Sequence, residues 1–344
     1  MKLPRRMLLA ATATLAMPQI GRAQGARRWR CVTSWAKNLP GPGVSAARLA
    51  KRITTMSEGA LTIEVFAAGE IVPALSVFDA VSNGTVEMGH SAALFWQGKM
   101  PAAPVFTTMP FGMGPAAHAG WVENEGQDFW DAIYGAFGVK ALLAGNTGPS
   151  TAGWFRQPIA GASDIRGMRI RVSGLGGAVY ARMGATPLVI SPGETYTALE
   201  RGLIDAAEFL APANDLALGL QRIAPYLAFP GFNKPNGASE LIIDAALWRD
   251  LPGNLRAIIE AACRAEHDQG LAEAERMNAI ALKQAVEAGA KPFRLPQEVL
   301  SAARAATDAL VAELRARDDI TERCFASCLA ARDAAAPWQK MQIL

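Results

Sequence analysis

Arg169 and Arg171 alternate with Met168, Ile170 and Val172 in a run that reads as a short β-strand. Side chains alternate across a strand, so the two arginines share one face and the apolar three share the other. A guanidinium carries a planar fork of donors that matches a carboxylate through two parallel hydrogen bonds. Glu208 follows Leu203-Ile204-Asp205-Ala206-Ala207, which reads as a second strand. Open α/β sheets bind ligands beyond the carboxyl ends of their strands, and Arg171 and Glu208 both fall at such ends. Such a fork offers recognition of a small carboxylate, for which Arg171 is a candidate and Arg169 its rival on the same face. The structural alternative for Arg171 is an ion pair with Asp205 or Glu208.

Other chemistries find less support. His90, His118 and His267 show no metal-ligand spacing and no link to a nucleophile elbow. No catalytic constellation emerges, so the residues argue against an enzyme. Gly174-Leu175-Gly176-Gly177 lacks the third glycine of a dinucleotide fingerprint, although N–H groups at a helix start favour an anion. Phe95, Trp96, Trp154, Phe209 and Phe232 offer either cleft walls or core. Cys31, Cys263, Cys324 and Cys328 form no C-x-x-C pair. They read as small buried hydrophobes, and an oxidising compartment keeps a bridge open.

These residues need elements to hold them. The spacing predicts strands at 30–34, 61–66, 86–91, 139–143, 168–172, 203–207 and 241–243. Helices are expected over 44–56, 73–82, 120–137, 178–183, 195–201, 255–288, 296–317 and 320–335, with 96–114 as loop. Gly174–Gly177 is expected as a turn before the helix over 178–183. The stretch Ala80-Val81-Ser82-Asn83-Gly84-Thr85-Val86-Glu87-Met88-Gly89 echoes Ala198-Leu199-Glu200-Arg201-Gly202-Leu203-Ile204-Asp205-Ala206-Ala207. Both read as helix, glycine stop, strand start, acid and small residues. One copy in each half suggests two similarly wound α/β lobes facing a ligand cleft.

Three motifs in order sharpen this reading: Ile165-Arg166-Gly167-Met168-Arg169-Ile170-Arg171, Met183-Gly184-Ala185-Thr186-Pro187, and the stretch from Tyr196 to Glu208. They resemble the solute-binding proteins of TRAP (tripartite ATP-independent periplasmic) transporters. Gly145-Asn146-Thr147-Gly148, Gly153-Trp154-Phe155-Arg156 and Ala224-Pro225-Tyr226 resemble the branch that binds small 2-oxo acids. The resemblance implies a two-lobed, type II-like α/β periplasmic-binding-protein fold with a long helix spanning both lobes. Lobe I would hold 24–148 plus about 236–270, and lobe II 149–235. The remainder, about 271–344, would supply the end of the spine helix and C-terminal helices packing across the lobes.

The same resemblance makes Arg171 the carboxylate clamp. It implies that Glu208, with the backbone of the next residue, holds a Na⁺ or Ca²⁺ ion that also touches the substrate. That next residue is a Trp in the branch and Phe209 here. Ser150 stands where the branch has a Gln ligand, and Lys234 stands where it has a second carboxylate. Hard cations want several oxygen ligands, so these two changes weaken a metal site. Lys234 either brings its ammonium to the vacated position or points to solvent. Phe95 and Phe232 are expected in the substrate walls. The implied partners are a small organic acid and membrane permease subunits, and a homodimer is compatible with the family. Two other roles stay open: presenting the ligand to a sensor kinase, and an exported carboxylate-acting enzyme with Glu208 as base.

The ends and the composition set the setting. Lys2, Arg5 and Arg6 precede an apolar run from Met7 to Pro18, and Gly21-Arg22-Ala23 offers a small-residue cleavage site. Residues 1–23 therefore read as a secretory signal, and Arg5-Arg6 admits twin-arginine export. Periplasmic localisation follows. With 51% hydrophobic and 19% charged residues, the chain can bury a sizeable core. The net charge of +3 comes without a Lys/Arg block or aromatic–basic interleaving, so nothing points to nucleic acid.

Overall fold

The computed structural model describes residues 26–341. The expected signal segment lies outside the described residues. Two sheets organise the chain. The first contains β1 (Arg27–Thr33), β2 (Leu61–Phe66), β3 (Met88–Ser91), β4 (Val139–Asn146) and β10 (Ala238–Asp244), in the order β2-β1-β3-β10-β4. The second contains β5 (Gly153–Phe155), β6 (Arg169–Arg171), β7 (Thr186–Leu188), β8 (Ala206–Ala207), β9 (Tyr226–Phe229) and β11 (Lys291–Arg294), in the order β11-β9-β5-β8-β6-β7.

The sequence echo has a structural counterpart. β1 lies parallel between β2 and β3, and β6 lies parallel between β7 and β8. Beyond that trio each sheet turns antiparallel, through β10 against β3 and β5 against β8. β1 and β6 thus occupy equivalent places, as do β3 and β8. The ends of these four strands face the space between the sheets.

The chain passes between the sheets after β4, returns before β10, and passes again along the helix Gly253–Glu287. At about 1.5 Å per residue this helix is roughly 50 Å long. Its first half buries Leu255, Ile259, Ala262 and Cys263 in the core that also holds Leu142 and Leu241. Its second half packs against the helix Pro212–Leu218, which follows the second sheet's β8. Gly270 makes the passage possible, because a Cβ there would stand 3.0 Å from the Asn146 carbonyl oxygen. The helix Gln297–Arg315 packs on Gly174–Arg182 beside the second sheet, and Asp319–Met341 returns to Pro115–Trp121 beside the first.

Several expectations need correction. The glycines Gly174–Gly177 do not form a turn; Gly174 starts the helix Gly174–Arg182 itself. The strand expected over 203–207 shrinks to Ala206–Ala207, because Leu203 is exposed and Asp205 is turned toward Arg169. The loop over 96–114 contains a 3₁₀ turn, Ala103–Phe106. The helix over 120–137 begins earlier, at Pro115, and passes through a π turn at Val122–Gly126 where Gly126 meets the Trp121 ring. All four cysteines are buried free thiols. Burial pushes the Cys31 and Cys328 thiols up to about 12.

Candidate functional site

β6 places its three side chains differently. Ile170 is buried between the flanking layers, and Arg169 is exposed and forms a two-point pair with Asp205, with Nη2 2.6 Å from Oδ1. Arg171, two residues on, is buried despite its charge. Its Nε donates to the Ile190 carbonyl at 3.1 Å and its Nη1 to the Glu208 carbonyl at 2.5 Å. Both acceptors are backbone oxygens, so neither neutralises the guanidinium. Cζ stands 5.3 Å from the centroid of the Phe209 ring, a cation–π separation. No acceptor among the described residues engages Nη2. Burial lowers the Arg171 pKa, while the charges of Glu208 and Asp215 oppose that shift.

Glu208 sits at the end of β8, held to β6 by its N–H donating to the Arg171 carbonyl at 2.8 Å. Its carboxylate meets the buried Lys234 ammonium, with Nζ 2.6 Å from Oε1. The contact is short but poorly directed, since Oε1 accepts no hydrogen bond of good angle. Nζ also donates to the Phe209 carbonyl. The position implied for a cation, between the Glu208 carboxylate and the Phe209 carbonyl, is thus taken by a lysine ammonium.

Ser150 is turned elsewhere. Its Oγ donates to the Lys234 carbonyl at 3.0 Å, and its N–H bonds the same oxygen at 3.0 Å. This doubly anchored carbonyl fixes the backbone from which the lysine projects. Gly231 allows the approach, because a Cβ there would stand 1.9 Å from the Ser150 carbonyl oxygen.

Arg171, Phe209 and Lys234 line one side of a cavity of about 30 Å³. Trp35, Leu94 and Phe95, from the ends of the first sheet's strands and the turn after β3, line the other. Thr107, Thr147 and Ser173 add hydroxyls to the rim. Trp35 is fixed by donating its indole N–H to His90 Nδ1 at 2.8 Å. His90 Nε2 then carries the proton and donates to the Ala144 carbonyl at 2.9 Å, so the neutral imidazole is locked. Burial lowers its pKa accordingly. A larger cavity of about 200 Å³ adjoins, sharing Pro42, Thr147 and Ser239. Its one arginine, Arg48, is already paired with Glu266 and Glu273, so the carboxylate chemistry belongs to the smaller space.

The structure therefore gathers Arg171, Phe209, Lys234 and Phe95 around one cavity and sets Glu208 behind Lys234. It does not bring Phe232 there: that ring stacks on Phe111 at 5.3 Å and packs against Tyr180 at 5.6 Å. Trp96 and Trp154 are core, donating to Glu240 and Asp215. Sequence reasoning missed Trp35, Thr147 and Asp215. Thr147 lay in the Gly145–Gly148 stretch at a crossover, which is a usable signal, whereas Asp215 had none. Asp215 is fully buried behind Glu208, accepts from Trp154 Nε1 at 2.8 Å and Leu210 N at 3.1 Å, and is pushed up to about 7 chiefly by burial.

Comparison with known proteins places the chain in a family. Residues 35–318 match the model of the bacterial extracellular solute-binding proteins, family 7. The chain is 35% identical over 318 residues to a monocarboxylate 2-oxoacid-binding periplasmic protein of Nostoc sp., covering 92% of this chain and 87% of that one. It superposes with a TM-score of 0.90 on a TRAP transporter solute-binding protein from Bordetella bronchiseptica, crystallised with copurified calcium and picolinate, at 33% identity. That match covers 92% of this chain and 95% of the other. A TRAP periplasmic solute-binding protein from Pseudoalteromonas atlantica, with bound sodium and pyruvate, gives a TM-score of 0.88 at 34% identity, covering 92% and 97%.

Proposed function

Because the chain belongs to family 7 of the bacterial extracellular solute-binding proteins, we propose that it serves a TRAP transporter in the periplasm, capturing a small 2-oxo or 2-hydroxy monocarboxylate between its lobes and delivering it to the membrane permease. The observation that carries the substrate class is the buried Arg171 guanidinium, whose Nη2 has no acceptor among the described residues at the wall of a cavity of about 30 Å³. A buried charge without its counterion is costly, so the site is built to be completed by an anion. Acid-binding relatives from Nostoc and Pseudoalteromonas support the same class.

Capture proceeds through named contacts. The carboxylate exchanges water for the Arg171 fork, and its carbon chain lies against Phe209, Leu94 and Phe95. A ligand that touches residues of both sheets favours the closed arrangement over the open one. The lobes are divided at the crossings after Asn146 and before Ala238, with Gly145, Gly148 and Gly237 near the hinge. Glu208 is no general base in this reading, because Lys234 engages its carboxylate and no hydroxyl, thiol or imidazole among the described residues hydrogen-bonds it. Nor is presentation of the ligand to a sensor kinase required by any contact described.

Calorimetric titration with pyruvate, and small-angle scattering with and without it, test the reading. Binding with a decrease in radius of gyration is expected. A protein that binds neither pyruvate nor lactate would refute the substrate class, and binding with unchanged scattering would refute closure.

A further inference from the structure

The family resemblance places a metal ion between the Glu208 carboxylate and the Phe209 carbonyl, and the residues present do not fit one. Both oxygens are already contacted by Lys234 Nζ. The Ser150 hydroxyl, at a position where the resembling branch offers an amide oxygen, is committed to the Lys234 carbonyl. A cation entering here would meet an ammonium at contact distance and would find too few oxygens to replace its water.

We propose that Lys234 is the built-in cation of this site: its remaining N–H selects acids that carry a 2-oxo or 2-hydroxy oxygen beside the carboxylate, and binding needs neither Na⁺ nor Ca²⁺. The proposal rests on the reading that the site takes a small carboxylate. An ammonium has three donors and no acceptor. One donates to the Phe209 carbonyl, the Glu208 carboxylate is held by close ionic contact and not along an N–H, and Lys234 itself lines the cavity beside Arg171. A remaining donor is therefore available to the ligand. Its natural partner is an oxygen on the carbon next to the carboxylate that Arg171 holds.

Two features make this a fixed arrangement and not a passing rotamer. Lys234 is buried, and its carbonyl is held twice by Ser150 across the close approach that Gly231 permits. Charge balance points the same way. A bound carboxylate near Glu208 would be repelled, and Lys234 lies against that glutamate while lining the ligand space. A 2-amino acid, by contrast, would bring an ammonium against an ammonium, and like charges at short range are disfavoured. The site then discriminates pyruvate from alanine by charge at one atom.

Three probes decide it: pyruvate, lactate and alanine, titrated calorimetrically into wild-type protein stripped with EDTA in a Na⁺-free buffer, then again with added Na⁺ or Ca²⁺. Pyruvate and lactate are expected to bind equally well in all three conditions, and alanine at least about tenfold more weakly. Pyruvate affinity that vanishes on stripping and returns with either ion overturns the proposal while leaving the carboxylate reading intact. Alanine binding as tightly as pyruvate overturns the selectivity. No binding of pyruvate or lactate under any condition refutes the carboxylate reading itself. Two double variants add a second line. Lys234→Glu with Ser150→Gln is expected to bind pyruvate only when an ion is added, and ion-free binding by that variant would count against the substitution logic. Lys234→Met with Glu208→Gln, which removes both charges of the pair together, is expected to lose at least about tenfold in pyruvate affinity. Undiminished affinity in that folded variant overturns the role of the lysine.

Discussion

Each sheet buries a glutamate, and the two are treated in opposite ways. Glu240, on β10 of the first sheet, accepts from Trp96 Nε1 at 2.5 Å and Tyr134 Oη at 2.9 Å. Both donors are neutral, and burial pushes this carboxyl up to about 7. Glu208, at the end of β8 in the second sheet, has a full cation against it. Around Glu240 the surroundings are aromatic, and the equivalent strand ends carry Trp35 and His90, locked as neutral groups. Around Glu208 stand Arg171 and Lys234. The first lobe thus supplies a neutral apolar wall and the second supplies charge. A cleft so divided can attach an anion to one lobe and close the other over it without adding a second charge to desolvate.

The division predicts unequal effects. Arg171→Ala should remove pyruvate binding, because two charge-assisted bonds worth about 1.5–3 kcal/mol each amount to about a hundredfold or more in affinity. Arg171→Lys should fail to restore it, since a point charge lacks the fork. Calorimetry on protein with an unchanged circular dichroism spectrum checks both, and retained affinity in the alanine variant would move the charged half of the cleft elsewhere.

Lys234→Met alone leaves Glu208 buried without its partner and should cost about 3–5 kcal/mol in urea unfolding. Adding Glu208→Gln should recover most of that loss. Equal stability of the single and double variants would mean that the pair is not the source of the cost.

Glu240→Gln tests the neutral half. A carboxyl raised from 4.5 to about 7 contributes its stability in full below pH 4.5 and loses it as pH rises through 7. Wild type should therefore lose about 3 kcal/mol relative to the glutamine variant across that window, at 1.36 kcal/mol per unit. Parallel stability curves from pH 4.5 to above 7 would show that Glu240 is not held neutral. The smallest effect belongs to Arg169→Ala. That side chain is exposed on Asp205, so pyruvate affinity should stay unchanged; a large drop would transfer the clamp from Arg171 to its neighbour.

Strand alternation and strand ends, which are local, put Arg171 and Glu208 among the candidates, and the role of each came from the family motifs around them. The spine helix was legible in the same local way, through its apolar stripe. The fate of Lys234 was not. Whether it faced solvent or the vacated ion position depended on Gly231 packing against Ser150, a contact between distant parts of the chain. Phe232 was misjudged likewise, since Phe111 and Tyr180 reach it from elsewhere in sequence. Trp35 and Thr147 were missed because they matter only once the opposite lobe supplies Arg171. β11 was missed because Lys291-Pro292-Phe293-Arg294 is a half-exposed edge strand, and Pro292 lacks the N–H that a central strand needs.

The insertion of β10 between β3 and β4 has a consequence for how the protein comes into being. When a ribosome has released only the first 150 residues, β3 and β4 each present an open edge, because the strand that joins them has not yet been made. The second sheet waits longer still, until Lys291–Arg294 is available to cap β9. Neither half can be completed in isolation, so the polypeptide is committed to finishing both sheets after most of it has been synthesised. Open strand edges invite pairing with other chains. A fragment ending at the first crossing is therefore expected to aggregate, while the full chain, tied together at four crossings, melts as one cooperative unit.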